Sequence, residues 1–164
     1  MSPTEAGAPL APVAVIAKRV REIRRSRGYT AARLGELLSE RGIRWDRFTV
    51  SSLESGKRQN VTVDELLALG TVLNVAPVHL LLPIDDDEAE YQITAGSKPK
   101  VAKVADARSW VRGTASLGNG PHRDFTAQAP EREWVSFDTT SPEGQRAAIE
   151  WAKQSGLGTV AEGE

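Results

Sequence analysis

Between Val13 and Pro83 glycine and proline cut the chain into short runs of apolar residues at helical spacing, a punctuation that a packed set of short helices satisfies. Val13, Ile16, Ala17, Val20 and Ile23 form the first stripe, with Lys18, Arg19, Arg21, Arg24 and Arg25 interleaved, and Gly28 is placed to end it. Thr30 can cap a second helix whose stripe is Leu34, Leu37 and Leu38 and whose stop is Gly42. A third helix is expected from Asp46, a good N-cap residue, to Ser55. Thr62 can cap a fourth, with Asp64 and Glu65 in the first turn where negative charge suits the macrodipole. Its expected core face is Val63, Leu66, Leu67, Gly70 and Leu73. A mid-helix glycine costs about 1 kcal/mol relative to alanine, so Gly70 points to a close helix crossing. Pro77 fits the first position of a short fifth helix through Leu82, and Pro83 closes an all-α domain over residues 13–83.

A chain of 164 residues has room for such a domain and an appendage, and five helices bury enough apolar surface to fold without metal or disulfide. Cysteine is absent, which excludes a disulfide framework and thiolate metal sites. The apolar stretch 11–17 precedes the positive charges instead of following them, so no signal peptide is expected. The run Leu66 to Leu82 is broken by Asn74, Pro77 and His79 and does not read as a membrane span. A soluble, cytoplasmic protein is the expectation. The net charge of −1 conceals an asymmetry: residues 10–60 carry twelve Lys/Arg against five Asp/Glu, whereas residues 61–164 carry nine against sixteen. A local balance of +7 is what phosphate binding by the first part requires, although a solvated basic face of the first helix is the plainer reading of the same charges.

Residues 1–12, with three prolines among small residues, read as a flexible arm, and residues 84–164 as a separate C-terminal region for dimerisation or partner contact. The acidic run Asp85 to Glu88 reads as a solvated boundary. Ser97-Lys98-Pro99 can open a helix to Gly113, and Ser141-Pro142 another to about Ser155. Tyr91, Trp110, Phe125, Trp134, Phe137 and Trp151 fall in this half. So many large apolar groups need a surface to pack on, in the first domain or in a second subunit.

The stretch Phe48-Thr49-Val50-Ser51-Ser52-Leu53-Glu54-Ser55-Gly56-Lys57-Arg58 carries the chemistry. Val50 and Leu53 can face a core, while Arg47, Thr49, Ser51 and Ser52 stay on the outer arc as small or cationic hydrogen-bonding groups. Gly56 suits a left-handed C-cap, followed by two cations. These residues resemble the recognition helix of the Cro/CI-type helix-turn-helix family, also called the XRE family. Thr49, Val50, Ser51, Leu53, Glu54, Gly56, Lys57 and Arg58 fit its pattern, and the resemblance spans roughly residues 13–83. It implies a five-helix domain that binds double-stranded DNA, with the second helix across the backbone and the third in the major groove.

Alignment on Glu54 and Gly56 carries the family's base-reading positions onto Arg47, Phe48 and Ser52, with Asp46 at the cap. The phosphate-facing positions fall on Thr30, Thr49, Lys57 and Arg58, with Ser51 and Arg44 beside them. Arg47 is the leading candidate, since a guanidinium pairs bidentately with guanine O6 and N7. Phe48 either touches a thymine methyl or turns into the core. The resemblance also implies an architectural ion pair between Arg24 and Glu54. Two departures stand out. Ala31 occupies a position where the family usually has glutamine, and the chain between Thr30 and Thr49 is about five residues longer than the compact pattern, a length that resembles an actinobacterial or actinophage-like branch. Trp45, within that excess, is expected to plug the space beneath the turn.

The sequence holds no phosphate-binding glycine loop, no paired-histidine metal motif and no Gly-x-Ser-x-Gly nucleophile, and His79 and His122 lie 43 positions apart. An enzyme is not expected, nor a cofactor. The reading is a repressor that acts as a homodimer by occupying a pseudo-palindromic operator. An antitoxin, whose acidic C-terminal half would neutralise a protein partner, and a phage immunity repressor are the alternatives.

Overall fold

In a computed structural model of the chain, which describes residues 8–96, 98–118, 124, 125, 127–130 and 142–154, five helices form between residues 12 and 81. Helix α1 spans Pro12–Ser26 and begins on a proline, whose missing N–H costs nothing in a first turn. Helix α2 spans Ala31–Ser39, and the Thr30 side chain accepts from the Arg33 N–H at its start. Helix α3 spans Arg47–Glu54, with Asp46 accepting from the Thr49 N–H. Helix α4 spans Val63–Val72 and opens on a full capping box: the Thr62 hydroxyl accepts from the Glu65 N–H, and the Glu65 carboxylate accepts from the Thr62 N–H. Helix α5 spans Pro77–Leu81.

Helix α2 packs on α3 and α4, and α1 packs on α3 and α5. Their shared core includes Ile16, Val20, Leu34, Leu38, Trp45, Val50, Leu53, Leu69, Leu73 and Leu80. Three of the five residues expected on the core face of α4 face inward, Gly70 and Leu73 buried and Leu66 packed against the core, while Val63 and Leu67 are exposed and Leu69 and Val72 are buried in addition. The four consecutive apolar residues Leu66, Leu67, Ala68 and Leu69 leave periodicity unable to choose between Leu67 and Leu69 for the inward face. Gly70 does meet a close neighbour, but it is the chain's own return into α5. A Cβ there would lie 2.9 Å from the Val75 carbonyl oxygen.

The fold is mostly helical without being all-α. Strand β1 (Glu90–Gln92) pairs antiparallel with β2 (Val101–Lys103), Tyr91 opposite Ala102, and helix α6 (Val104–Val111) follows directly. The helix expected from residue 97 therefore starts seven residues later, because 101–103 pair with 90–92 first. Part of the expected arm is also bound: the Leu10 N–H donates to the Glu90 carbonyl at 2.8 Å and the Gln92 N–H to the Leu10 carbonyl at 3.0 Å. Tyr91, Val104 and Ala107 bury against Val15 of α1 and Leu82 in a second small core. The Tyr91 hydroxyl donates to the Leu81 carbonyl, and burial pushes its ionisation far above the ordinary tyrosine range.

The chain divides into two compact units, Met1–Gly120 and Pro121–Glu164, so the first runs well past Pro83. The acidic run helps hold it together. Asp86 accepts from the Glu88 and Ala89 N–H groups, Asp87 pairs with Arg108 and Glu88 with Lys103. In the second unit, helix α7 (Pro142–Gln154) forms where Ser141-Pro142 predicts it. Trp134 and Phe137, and the side chain of Trp151, lie outside the described residues. No helix among the described residues is long and apolar enough to cross a membrane.

Candidate nucleic-acid interface

Helix α3 is eight residues long and has one buried stripe, Val50 and Leu53, both fully buried. A helix this short is marginal by itself, so its position depends on what ties it down. The first tie is at its C-terminal end. Arg24 of α1 donates from Nε to Glu54 Oε1 at 2.6 Å and from Nη2 to Oε2 at 2.8 Å, while Nη1 donates to the Tyr29 carbonyl at 2.6 Å. Both side chains are about nine-tenths covered. The hydrogen bond to Glu54 raises the Arg24 pKa further above an already high value, despite the opposing effect of burial. This is the architectural pair that the resemblance implies.

A second constraint was not legible as such in the sequence. Gly35, in the middle of α2, is buried, and a Cβ built on it would sit 2.8 Å from the Asp46 carbonyl carbon and 2.9 Å from its Cα. The N-cap of α3 therefore lies directly on the backbone of α2. A glycine in mid-helix was the signal available. Gly35→Ala is expected to destabilise the chain by about 1–3 kcal/mol, as overpacking against backbone does, despite the better helix propensity of alanine. An unchanged or raised melting temperature would show that the two helices can separate freely.

The outer arc of α3 carries Arg47, Phe48 and Ser51, all exposed, with Ser52 half-buried beside them. Phe48 is 67% exposed, which removes the core alternative for its ring. The Arg47 guanidinium carbon lies 4.6 Å from the centre of that ring, so arginine and phenylalanine form one stacked, solvent-facing unit. Asp46 is a cap in its own right: its Oδ1 accepts from both the N–H and the hydroxyl of Thr49, and these bonds hold its carboxyl below the usual range. Thr30 and Thr49 both spend their side chains on local hydrogen bonds, Thr30 remaining exposed and Thr49 half-buried.

The cations around this arc divide into two groups. Arg44 and Lys57 are exposed, and among the described residues neither side chain forms an ion pair or hydrogen bond. The guanidinium of Arg58, expected at phosphate, is engaged within the domain. Its Nη2 donates to Glu65 Oε1 at 2.6 Å, its Nε donates to the Asn60 carbonyl, and it stacks 4.7 Å from the centre of the Trp45 ring. Trp45 is buried, as a plug beneath the turn should be, and its indole N–H donates to the same Glu65 Oε1 at 2.8 Å. Burial pushes the Glu65 carboxyl up, but the hydrogen bonds from Thr62, Trp45 and Arg58 outweigh it and hold the pKa below the ordinary value of 4.5. Gly56 adopts φ +74°, the left-handed turn that ends α3 and throws Lys57 outward.

The residues between α2 and α3 form a turn. Gly42 takes φ +81°, the Ile43 N–H donates back to the Leu38 carbonyl, and the Ser39 hydroxyl donates to the Trp45 carbonyl. Among the described residues no three His, Asp or Glu side chains gather as a metal ion would need. The arrangement is a helix, a turn and a second helix whose exposed face presents one arginine, one aromatic ring and two hydroxyls, flanked by the exposed cations Arg44 and Lys57.

No protein-family model matches the chain, and no curated protein matches it. Among solved structures the chain is similar to the restriction-modification controller protein C.AhdI from Aeromonas hydrophila, at 31% identity over 42% of this chain and 94% of that one, with a TM-score of 0.36. It is also similar to a hypothetical transcription factor, NHTF, from Neisseria, at 29% identity over 51% of this chain and 88% of that one, with a TM-score of 0.40.

Proposed function

We propose that the protein is a cytoplasmic, sequence-specific DNA-binding regulator of the Cro/CI type, with α3 as the recognition helix. One observation carries this reading: a short helix clamped by the Arg24–Glu54 pair and by Gly35 presents Arg47, Phe48 and Ser51 to solvent instead of burying them. A solvated, cation-rich face needs no such rigid backing, whereas reading base edges does. Arg47 is the base-reading residue, with Phe48 available to a thymine methyl and Ser52 at the edge of the groove. Lys57 and Arg44 supply phosphate contacts, and Thr30, Thr49 and Ser51 contribute hydroxyls near the backbone. Asp46 serves as the cap that orients Arg47, and Arg58 belongs to the scaffold.

The test is affinity for duplex DNA against salt concentration. Log affinity should fall linearly with log salt, with a slope of roughly 0.9 per phosphate neutralised. Lys57→Ala should lower that slope by about one and weaken all sequences alike, because a phosphate contact carries no direct base information. Binding that ignores salt, or that survives only in residues 121–164, would sink the reading.

Repression by operator occupancy as a homodimer is the finer proposal. A two-fold pair of recognition helices would engage successive major grooves as one unit. Trp110 and Val111 on α6 are each more than a third exposed and offer an apolar surface for the partner copy. Cutting the chain after Pro83 is a poor probe, since it strips Tyr91, Val104 and Ala107 from the core beneath Val15 and Leu82. Light scattering on the full chain and on Trp110→Ser is the better one: a dimer that dissociates in the variant is expected, and a full-length monomer at micromolar concentration would remove the dimerisation role.

A further inference from the structure

Helix α3 is tied at its C-terminal end by Arg24–Glu54, yet base reading falls on its N-terminal end, where the preceding turn is about five residues longer than the compact pattern. We propose that Trp45, Arg58 and Glu65 form a positioning latch that sets the angle of α3 for base recognition, closing the segment 45–58 on one carboxylate of α4. The proposal rests on the reading of α3 as a DNA-recognition helix.

The geometry separates this cluster from an ordinary cap. A capping box at Thr62 needs one carboxylate oxygen, and Glu65 Oε2 serves it at 2.8 Å. The other oxygen, Oε1, receives two donors that arrive from opposite ends of α3: the indole N–H of Trp45, which immediately precedes the cap residue Asp46, and Nη2 of Arg58, four residues beyond Glu54. Arg58 then covers the Trp45 ring at 4.7 Å. All three side chains are largely buried, Arg58 and Glu65 being 21% and 13% exposed. Packing beneath the turn needs only apolar ring surface, so the indole nitrogen adds something packing alone does not require: a directional bond from the entry of α3 to α4.

Since α3 has two turns and a free outer face, a shift at its entry passes directly to Arg47, the second residue after Trp45. Base contacts depend on that placement within a fraction of an ångström, while phosphate contacts on flexible lysines do not. Trp45, Arg58 and Glu65 are therefore positioning residues: breaking the latch should lower the preference for the right sequence more than it lowers binding to any sequence.

The experiment uses the full chain. A preferred duplex is selected from random DNA, and affinities for it and for a shuffled duplex are measured at one salt concentration for the wild type, Trp45→Phe and Glu65→Gln. Both variants should lower the preferred-to-shuffled ratio roughly tenfold, the lower end of what one bidentate base contact discriminates. Binding to the shuffled duplex should change little, and the double variant should be no worse than Glu65→Gln alone. Trp45→Phe keeps the ring in the turn and decides the matter if Glu65→Gln does not fold. A ratio unchanged in folded variants, with only the melting temperature lowered, would overturn the latch while leaving the DNA-binding reading intact. A wild type with no preferred duplex would overturn that reading and the latch with it.

Discussion

Replacing Glu54 with alanine is expected to lower the stability of the folded chain by about 3–5 kcal/mol, because it leaves the Arg24 guanidinium largely buried and facing no carboxylate. Arg24→Ala should cost a similar amount, and it also frees the Tyr29 carbonyl that Nη1 engages. The intact pair need contribute little net stability, since desolvating two charges offsets much of their attraction. The double variant Arg24→Met/Glu54→Leu should thus be less destabilised than either alanine variant. Urea denaturation of the three variants measures this. Losses below about 1 kcal/mol in both single variants would mean that water reaches the pair and screens it.

Arg47→Ala is expected to cost about 1–3 kcal/mol of DNA affinity and to relax preference at one base position, with no comparable loss of fold stability. The side chain is exposed and stacks on the ring of Phe48, itself exposed, so it stands outside the core. Phe48→Ala should produce a smaller loss, partly by removing the ring that holds the guanidinium in place. Repeating the selection from random DNA with Arg47→Ala decides the assignment. If the recovered sequences match those of the wild type and only total affinity falls, Arg47 touches phosphate and another residue reads the base.

The helix starts were legible because a cap is a local event. Thr30, Asp46 and Thr62 each satisfy an N–H three residues ahead, and nothing distant is needed to see it. The stops at Gly28, Gly42 and Gly56 were legible for the same reason, and all three adopt the left-handed conformation that glycine tolerates. The pairing of residues 90–92 with 101–103 was not, because Ser97-Lys98-Pro99 carries a local helix-start signal while the paired residues lie nine to thirteen positions apart. The inward face of α4 was legible only in part: Leu66, Gly70 and Leu73 face the core, but Val63 and Leu67 do not. An unbroken apolar run from Leu66 to Leu69 leaves the phase open until α5 and the return at Val75 settle which side is covered.

By itself the sequence determined where five short helices start and that one of them is a short amphipathic helix with small and cationic outer residues, while the pairing of Arg24 with Glu54 came from the resemblance. Tertiary structure decided which charges are available. Arg58 and Lys57 are adjacent and chemically alike in the sequence, yet one is held against Trp45 and Glu65 and the other is exposed. The difference is long-range: a guanidinium goes where a carboxylate and an aromatic face converge, and that convergence exists only once α4 and the turn before α3 have packed together. Gly35 follows the same logic. Its lack of a side chain has no visible purpose along the chain and becomes necessary only when the Asp46 backbone comes within 3 Å of where a Cβ would stand.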